Sequence, residues 1–370
     1  MTTQFFVPEV LPMAPRPHSD ELLSSWLHRI AAANWLSLSE LLDSVWRPGD
    51  CLQDLQFADY RMPAAWRSRL ATLCRLPSDQ LSSLELQHRF PGIDTGWFTY
   101  GLASLPFCAS CCQEQHSAGS VYVRAEWCFV FQTHCPLHFM PLIDRCRSCG
   151  NIALPSWSAG LFRCGRCDEV LKATHFIPIS PGVEIIVGLQ QSIRRCLQGI
   201  IPPNRFWIGT LEASTFLRLV TELIQILLLP VPDACAKYVL ADLLMPGEFQ
   251  RAYNIGGRFD QPRFQMLSWF PRFKVMAALA QLLLGDRGKQ FFEEPVCVPY
   301  YYLRDLFASL PQETGLAILD PAESWPEPLR SLFRHAAEAA RPKRSSSHRP
   351  AFSPAFRYNT HRARRYHSTI

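Results

Sequence analysis

Apolar residues recur at helical spacing along most of this chain, with one long interruption in the middle. Leu22, Leu23, Trp26, Leu27, Ile30 and Ala31 fall on one stripe at steps of three and four, predicting a helix after Ser19-Asp20. Asn34-Trp35-Leu36 breaks it. Ser37-x-x-Glu40 then reads as a capping box, in which serine oxygen and glutamate each satisfy a free amide. Leu38, Leu41, Leu42 and Val45 supply the apolar face of the second helix, which Pro48-Gly49 stops. Two helices joined by a short turn predict a helix-turn-helix-like unit. Further helical patterns cover 64–76 and start again at Ser78. Residues 91–107, with three glycines and two prolines, form a link.

From there to about residue 178 the helical period is lost. Residues 121–124 and 126–131 have β-rich composition and predict short ribbon-like strands, and 155–162 predicts a loop or hairpin. Helical patterns resume at 183–198, 213–229, 233–244, 264–284, 301–309 and 328–340, with Pro271 kinking or breaking the fourth. The expected fold is mainly α. It has an N-terminal helix-turn-helix-like domain (1–100), a central double zinc-binding module with short strands (101–178), a C-terminal helical domain (179–340) and a basic disordered tail (341–370).

Composition adds limits. A chain of 370 residues that is 48% hydrophobic is long enough for two or three domains with real cores. The longest apolar candidate, 216–229, is broken by Arg218, Thr221, Glu222 and Gln225, so no membrane segment is expected. Residues 1–17 lack a basic region followed by an apolar core, and the expected location is cytoplasmic.

Charge is uneven. The net charge is +5, yet residues 341–370 alone carry eight Lys/Arg and no acid, so the rest of the chain is slightly acidic. Lys343, Arg344, Arg349, Arg357, Arg362, Arg364 and Arg365 are candidate nucleic-acid contacts through phosphate neutralisation, with Phe352, Phe356, Tyr358 and Tyr366 interleaved. A solvated extension without a specific partner is the other reading. The second helix exposes Ser39, Glu40, Asp43 and Ser44, with Arg47 as its basic residue. That charge favours packing or protein contact over reading DNA. Arg263, Arg272 and Lys274 near Trp269 and Phe270 read as a solvated helix face beside an aromatic core edge rather than a nucleic-acid contact.

The central interruption carries the chemistry. Cys108-x2-Cys111, Cys135-x2-His138, Cys146-x2-Cys149 and Cys164-x2-Cys167 are four knuckles within sixty residues. Two residues between ligands make a tight turn that aims both side chains at one ion, and two such turns complete a tetrahedron. Eight ligands in order suggest two structural Zn2+ ions, one held by Cys108, Cys111, Cys135 and His138, the other by Cys146, Cys149, Cys164 and Cys167. Thiolate-rich, filled sites leave no position for a reacting water. Disulfides, a single zinc with bystander thiols, and iron–sulfur ligation are the alternatives. Cys112, Cys128, His116 and His134 lie nearby but fit the knuckle pattern less well. Gly150 and Gly165 follow ligand cysteines, where glycine lets the backbone turn toward the thiolates.

Searches for catalytic motifs are negative. Gly285 to Gln290 lacks phosphate-loop spacing, H-E-x-x-H and G-x-S-x-G are absent, and no carboxylate triad stands out.

Pro15-x-Pro17-x2-Asp20-Glu21-Leu22-Leu23-Ser24-Ser25-Trp26-Leu27-x-Arg29-Ile30-Ala31 resembles the opening motif of the TniQ/TnsD family of transposition target-selection proteins. Phe107-Cys108-x2-Cys111, Trp127, Cys135-Pro136-x-His138-x3-Leu142-x3-Cys146-x2-Cys149 and Cys164-x2-Cys167 continue the resemblance, which covers about residues 8–170. It implies a non-enzymatic adaptor that marks a target and recruits an AAA+ ATPase of the TnsC or TniB type, which engages the transposase. Some relatives read a DNA sequence. Others dimerise on an RNA-guided Cascade complex in CRISPR-associated transposons. The resemblance places the helix-turn-helix at 20–46 and two zinc sites on the eight ligands. A free-standing zinc-dependent, sequence-specific DNA-binding regulator is the alternative.

Overall fold

The computed structural model describes residues 9–45, 58–99, 105–146, 148–150, 155–156, 163–164, 166–170, 182–201, 210–228, 264–267, 269–284, 325–327 and 329–331. Helix α1 (Leu23–Ala33) buries the stripe expected of it, with Leu23, Trp26, Leu27, Ile30 and Ala31 inside. It ends where Trp35 enters the left-handed region at φ 58, its amide bonding Ala32 O and that of Leu36 bonding Ala31 O. This is the double closure that helices usually make with glycine at that position. Here the left-handed residue is a tryptophan, and it is 95% exposed.

Helix α2 (Leu38–Val45) starts on the expected capping box. Ser37 N donates to Glu40 Oε2 at 2.7 Å, and Glu40 N donates to Ser37 Oγ at 3.2 Å. Helix α3 (Ala64–Cys74) closes as α1 does, with Arg75 at φ 51 and Leu76 N bonded to Ala71 O. Short helices α4 (Ser78–Ser82) and α5 (Leu86–Arg89) follow. Leu11, Trp26, Ile30, Leu41, Leu42, Trp66, Leu70 and Leu81 share one core among these elements.

The N-terminal end of α1 is finished from outside. Leu22 offers no side-chain cap, and Asp59 fills the role: its carboxylate accepts from Ser24 N and Ser24 Oγ, both at 2.7 Å. Asp59 is fully buried, and desolvation pushes its pKa up to about 6, against the pull of the Ser24 hydrogen bonds. A raised carboxylate pKa means that the folded state holds the proton more tightly than the unfolded one. Stability from this group is therefore present at low pH and falls as pH rises from about 4 to about 6. Asp59→Asn removes that dependence. The variant should gain on wild type across this window, by an amount of order 3 kcal/mol for a two-unit shift, read by urea titrations at pH 4 and pH 7. A pH-independent difference would show that Asp59 does not titrate there.

A second core is more widely drawn. It takes Leu22, Phe90, Phe98, Phe107, Trp127, Phe129 and Phe131 together with residues of three long helices, α7 (Val183–Leu197), α8 (Ala213–Leu228) and α9 (Trp269–Leu284), and with Trp325 and Leu329. The three helices pack on one another. The loop before residue 95 closes on the end of α7, where Gly92 N donates to Leu197 O at 2.9 Å. A Cβ on Gly92 would stand 3.2 Å from that same oxygen. Pro271 does not break its helix: it sits in the first turn of α9, where amides have no intrahelical acceptor anyway. The α9 N-terminus is held instead by Asp144, which accepts from Trp269 N at 2.9 Å.

Residues 121–131 do not form the expected ribbon. They make single bridges, Arg124 with Glu21 and Phe129 with Phe98, around a 3-10 turn at Ala125–Cys128. The reason is burial on all sides: 125–135 are buried in an unbroken run, where a half-exposed ribbon would alternate. The hairpin near 155–162 is present as β1 (Pro155–Ser156) antiparallel to β2 (Arg163–Cys164). Arg272 is neither solvated nor placed for nucleic acid. It is 2% exposed, with Nη1 3.3 Å from Val130 O. Among the described residues no helix is long and apolar enough to cross a membrane. The expected helices at 233–244 and 301–309, most of 328–340 and the tail at 341–370 lie outside the described residues, as do Arg263, Gly165 and Pro48-Gly49.

Candidate metal centres

The eight knuckle residues come together in two groups of four. Cys108, Cys111, Cys135 and His138 form one, and Cys146, Cys149, Cys164 and Cys167 the other, with the donor atoms of each group within 4.8 Å of one another. In the first group Cys111 Sγ lies 3.6 Å from Cys135 Sγ, and His138 Nδ1 lies 3.3–3.5 Å from the three sulfurs. In the second, Cys146–Cys167 and Cys149–Cys164 are 3.6 and 3.7 Å apart. Tetrahedral bonds of about 2.3 Å to sulfur and 2.0 Å to nitrogen place sulfurs about 3.8 Å from each other and about 3.5 Å from the nitrogen. The donor atoms thus already surround a point at bonding distance, and each group can hold a single metal ion. The separations are far beyond a disulfide bond of about 2.05 Å, and all eleven described cysteines are free. They are also too short to enclose a polynuclear iron–sulfur cluster.

Three of the four knuckles share one backbone device. Phe139 N donates to Cys135 O, Gly150 N to Cys146 O, and Asp168 N to Cys164 O, each at 2.8 Å. Phe139, Gly150 and Asp168 have φ of 55, 68 and 57. The residue after the second ligand turns left-handed, which folds both side chains onto one side of the loop. Gly150 was legible for this reason; Phe139 and Asp168 carry no sequence signal for it. The fourth pair is built differently. Cys108 caps α6 (Ala109–Ser117) and Cys111 sits in its first turn.

The two centres differ in setting. Cys108, Cys111 and Cys135 are buried in the shared core beside Trp127 and Phe131. The Cys135 thiol is pushed well down, first by hydrogen bonds from Cys108 and Cys111, with backbone amides of His138 and Leu137 adding to them, while hydrogen bonds with Cys108 and Cys135 push the Cys111 thiol up. A thiolate is the form that binds a metal. In the second centre Cys146 and Cys164 belong to the same core, but Cys149 is half-buried at its edge and Cys167 exposed. Cys164→Ser should therefore cost one bound metal ion and loosen 146–170 while the main thermal transition stays within a few degrees. Metal content by elemental analysis and a melt would check this; full metal retention would remove Cys164 from the ligand set.

The four nearby residues that fit the pattern less well stand outside both groups. Cys128 donates to Ala125 O at 2.7 Å, and desolvation raises its pKa and that of Cys112 far up. His134 packs against Trp269 and Phe273, and burial lowers its pKa to about 4. His116 lies in the last turn of α6.

Sequence reading missed the joint between α1 and this region. Leu22 N donates to Val123 O (2.9 Å), Ala125 N to Asp20 O (2.7 Å), and Val123 N to Ser25 Oγ (2.9 Å). Asp20 pairs with Arg124 at 2.9 Å, and Arg194 of α7 reaches Glu126 at 2.7 Å. Glu21, fully buried, takes hydrogen bonds from Arg29, Ser25 and His18 N, while Arg89 donates to Glu21 O at 2.9 Å. Asp20, Glu21 and Ser25 of the motif thus serve the seam between α1 and the first metal centre, while Ser24 meets Asp59. The candidate nucleic-acid residues Lys343, Arg344, Arg349, Arg357, Arg362, Arg364 and Arg365 lie outside the described residues.

A family model, TniQ, matches residues 12–142. It takes in α1, the seam and all four donors of the first centre, and stops before Cys146. Comparison with the curated proteins gives no match.

Proposed function

We propose that this chain, a TniQ-family protein by the match over residues 12–142, is a non-enzymatic target-selection adaptor in DNA transposition. The TniQ domain marks a transposition-associated protein, and no enzymatic family is indicated. In this reading it links a target, chosen by DNA sequence or by an RNA-guided Cascade complex, to an AAA+ ATPase of the TnsC or TniB type, and through it to the transposase. The observation that carries the reading is the TniQ match itself, running unbroken across the seam that joins α1 to the first metal centre.

Both centres hold Zn2+ in this proposal. Three thiolates with an imidazole, and four thiolates, are donor sets that suit this ion and leave no open position. The ions fix loop-rich segments that bury too little apolar area to hold themselves. No step of chemistry passes through them. What the chain's own residues do is orient: the α1–α2 hairpin and the knuckle surface are presented at fixed geometry through Asp20, Ser25, Arg124 and Glu126. Exposed Glu40 and Asp43 on α2 suit a protein contact better than DNA phosphates. Sequence-independent affinity for nucleic acid falls to the basic tail at 341–370.

The test is reconstitution. Purified protein should co-sediment with the AAA+ ATPase of its own element on target DNA or target complex, and deletion should abolish targeted insertion in cells. Strand cleavage or joining by the purified protein with Mg2+, or targeted insertion that survives deletion, would overturn the adaptor reading.

A further inference from the structure

The first metal centre contains a fifth residue that touches no metal. Glu114 lies on α6 one turn beyond Cys111, and its Oε1 stands 2.9 Å from His138 Nε2. The other ring nitrogen, Nδ1, faces the sulfurs of Cys108, Cys111 and Cys135. A neutral imidazole has one N–H and one lone pair, and the atom it ligates through is set by where the other nitrogen hydrogen-bonds. A carboxylate accepts and cannot donate, so Glu114 draws the N–H to Nε2 and leaves the Nδ1 lone pair aimed into the cluster. Helical spacing adds to this. Because Cys108 stands at the N-cap of α6 and Cys111 in its first turn, the helix that supplies the first knuckle also carries the group that orients the histidine of the second.

We infer that Glu114 is a positioning residue for the first metal centre, holding His138 in its Nδ1-ligating tautomer and linking the two knuckles across the ion. The inference rests on the metal reading of that cluster and is independent of any role in transposition. The Glu114 side chain is 68% exposed, so its removal should leave the fold intact.

The experiment loads full-length protein with Zn2+, confirms two equivalents, and follows release to a chromogenic chelator. Cys164→Ser identifies the phase of the second centre by abolishing it. Glu114→Ala should speed the first-centre phase about tenfold, the lower end of the 10–100-fold usual for such partners. The second phase and the circular dichroism spectrum should stay unchanged. Glu114→Gln keeps an acceptor oxygen and should recover most of the loss. A first-centre rate within twofold of wild type in Glu114→Ala, equal acceleration of both phases, or no recovery by Gln would each overturn the assignment. Wild-type protein that binds no Zn2+ would instead remove the metal reading beneath it, a separate failure visible before any variant is made.

Discussion

Cys135→Ser is expected to leave one metal equivalent of two and to unfold most of the molecule rather than a loop. Cys135 is fully buried, and its sulfur lies in the same core as Trp127, Phe129, Phe131, Ile193 and Met276. Its neighbours converge on it: Cys108, Cys111 and His138 through side chains, and Phe139 and Met140 through the backbone. A hydroxyl is a poor substitute for the thiolate, and without the ion three polar donors are left facing one another inside an apolar core. Structural Zn2+ in small modules is worth about 10–16 kcal/mol of apparent binding free energy. Whole domains are stable by only about 5–15 kcal/mol. The variant should therefore lack a cooperative thermal transition and expose apolar surface to a hydrophobic dye. A melt within a few degrees of wild type, or two retained metal ions, would rule out a core role for the first centre. The contrast with Cys164→Ser is the sharper measurement, because the same chemical change should have a local effect there.

Gln190→Ala should be the most damaging change that touches no candidate ligand. Gln190 is 1% exposed on α7. Its Oε1 accepts from Thr133 N at 2.7 Å, Thr133 Oγ1 at 2.9 Å and His134 N at 3.2 Å, while Nε2 donates to His134 O at 3.3 Å. Truncation orphans two buried amides at once and leaves the Thr133 hydroxyl with His134 Nδ1 alone, 3.1 Å away. At about 1–3 kcal/mol for each unsatisfied group, with some relaxation, the loss should come to about 3–5 kcal/mol in a denaturant titration. Because His134 precedes Cys135, the first centre should also give up its ion faster. A loss under about 1 kcal/mol would mean that the joint to α7 is held by apolar packing alone.

The helices and the knuckles were legible for a common reason: each is written in local spacing. The stripe of α1, the Ser37–Glu40 box and the x2 intervals of Cys and His are read over a few residues, and all of them appear in the structure. What was not legible is written between distant residues. Val121–Arg124 looks like a strand by composition, but its backbone partners are residues 20–22, some hundred positions earlier. Asp59 gives no sign in sequence that it finishes α1, since helix starts are sought in the residues just before the helix. The left-handed closures failed for a different reason. Glycine announces such a position, whereas Trp35, Arg75, Phe139 and Asp168 adopt it where the backbone hydrogen bonds of a helix end or a knuckle require it. Arg272 likewise could not be separated from a surface cation until its burial against Val130 was seen.

The shared core that joins Leu22 to Trp325 and Leu329 also sets the timing of synthesis. Both metal centres have all their donors once Cys167 has left the ribosome, and each can close on its ion at that moment. The same core takes in residues of α7, α8 and α9, and its last members among the described residues come at 325–329. At about 5–20 residues per second, the chain spends roughly 8 to 30 seconds between these two points. For that interval Phe129 and Phe131, both fully buried in the finished fold, lack the helices that complete their core. A nascent chain of this protein should therefore depend on a holding chaperone during the second half of its translation.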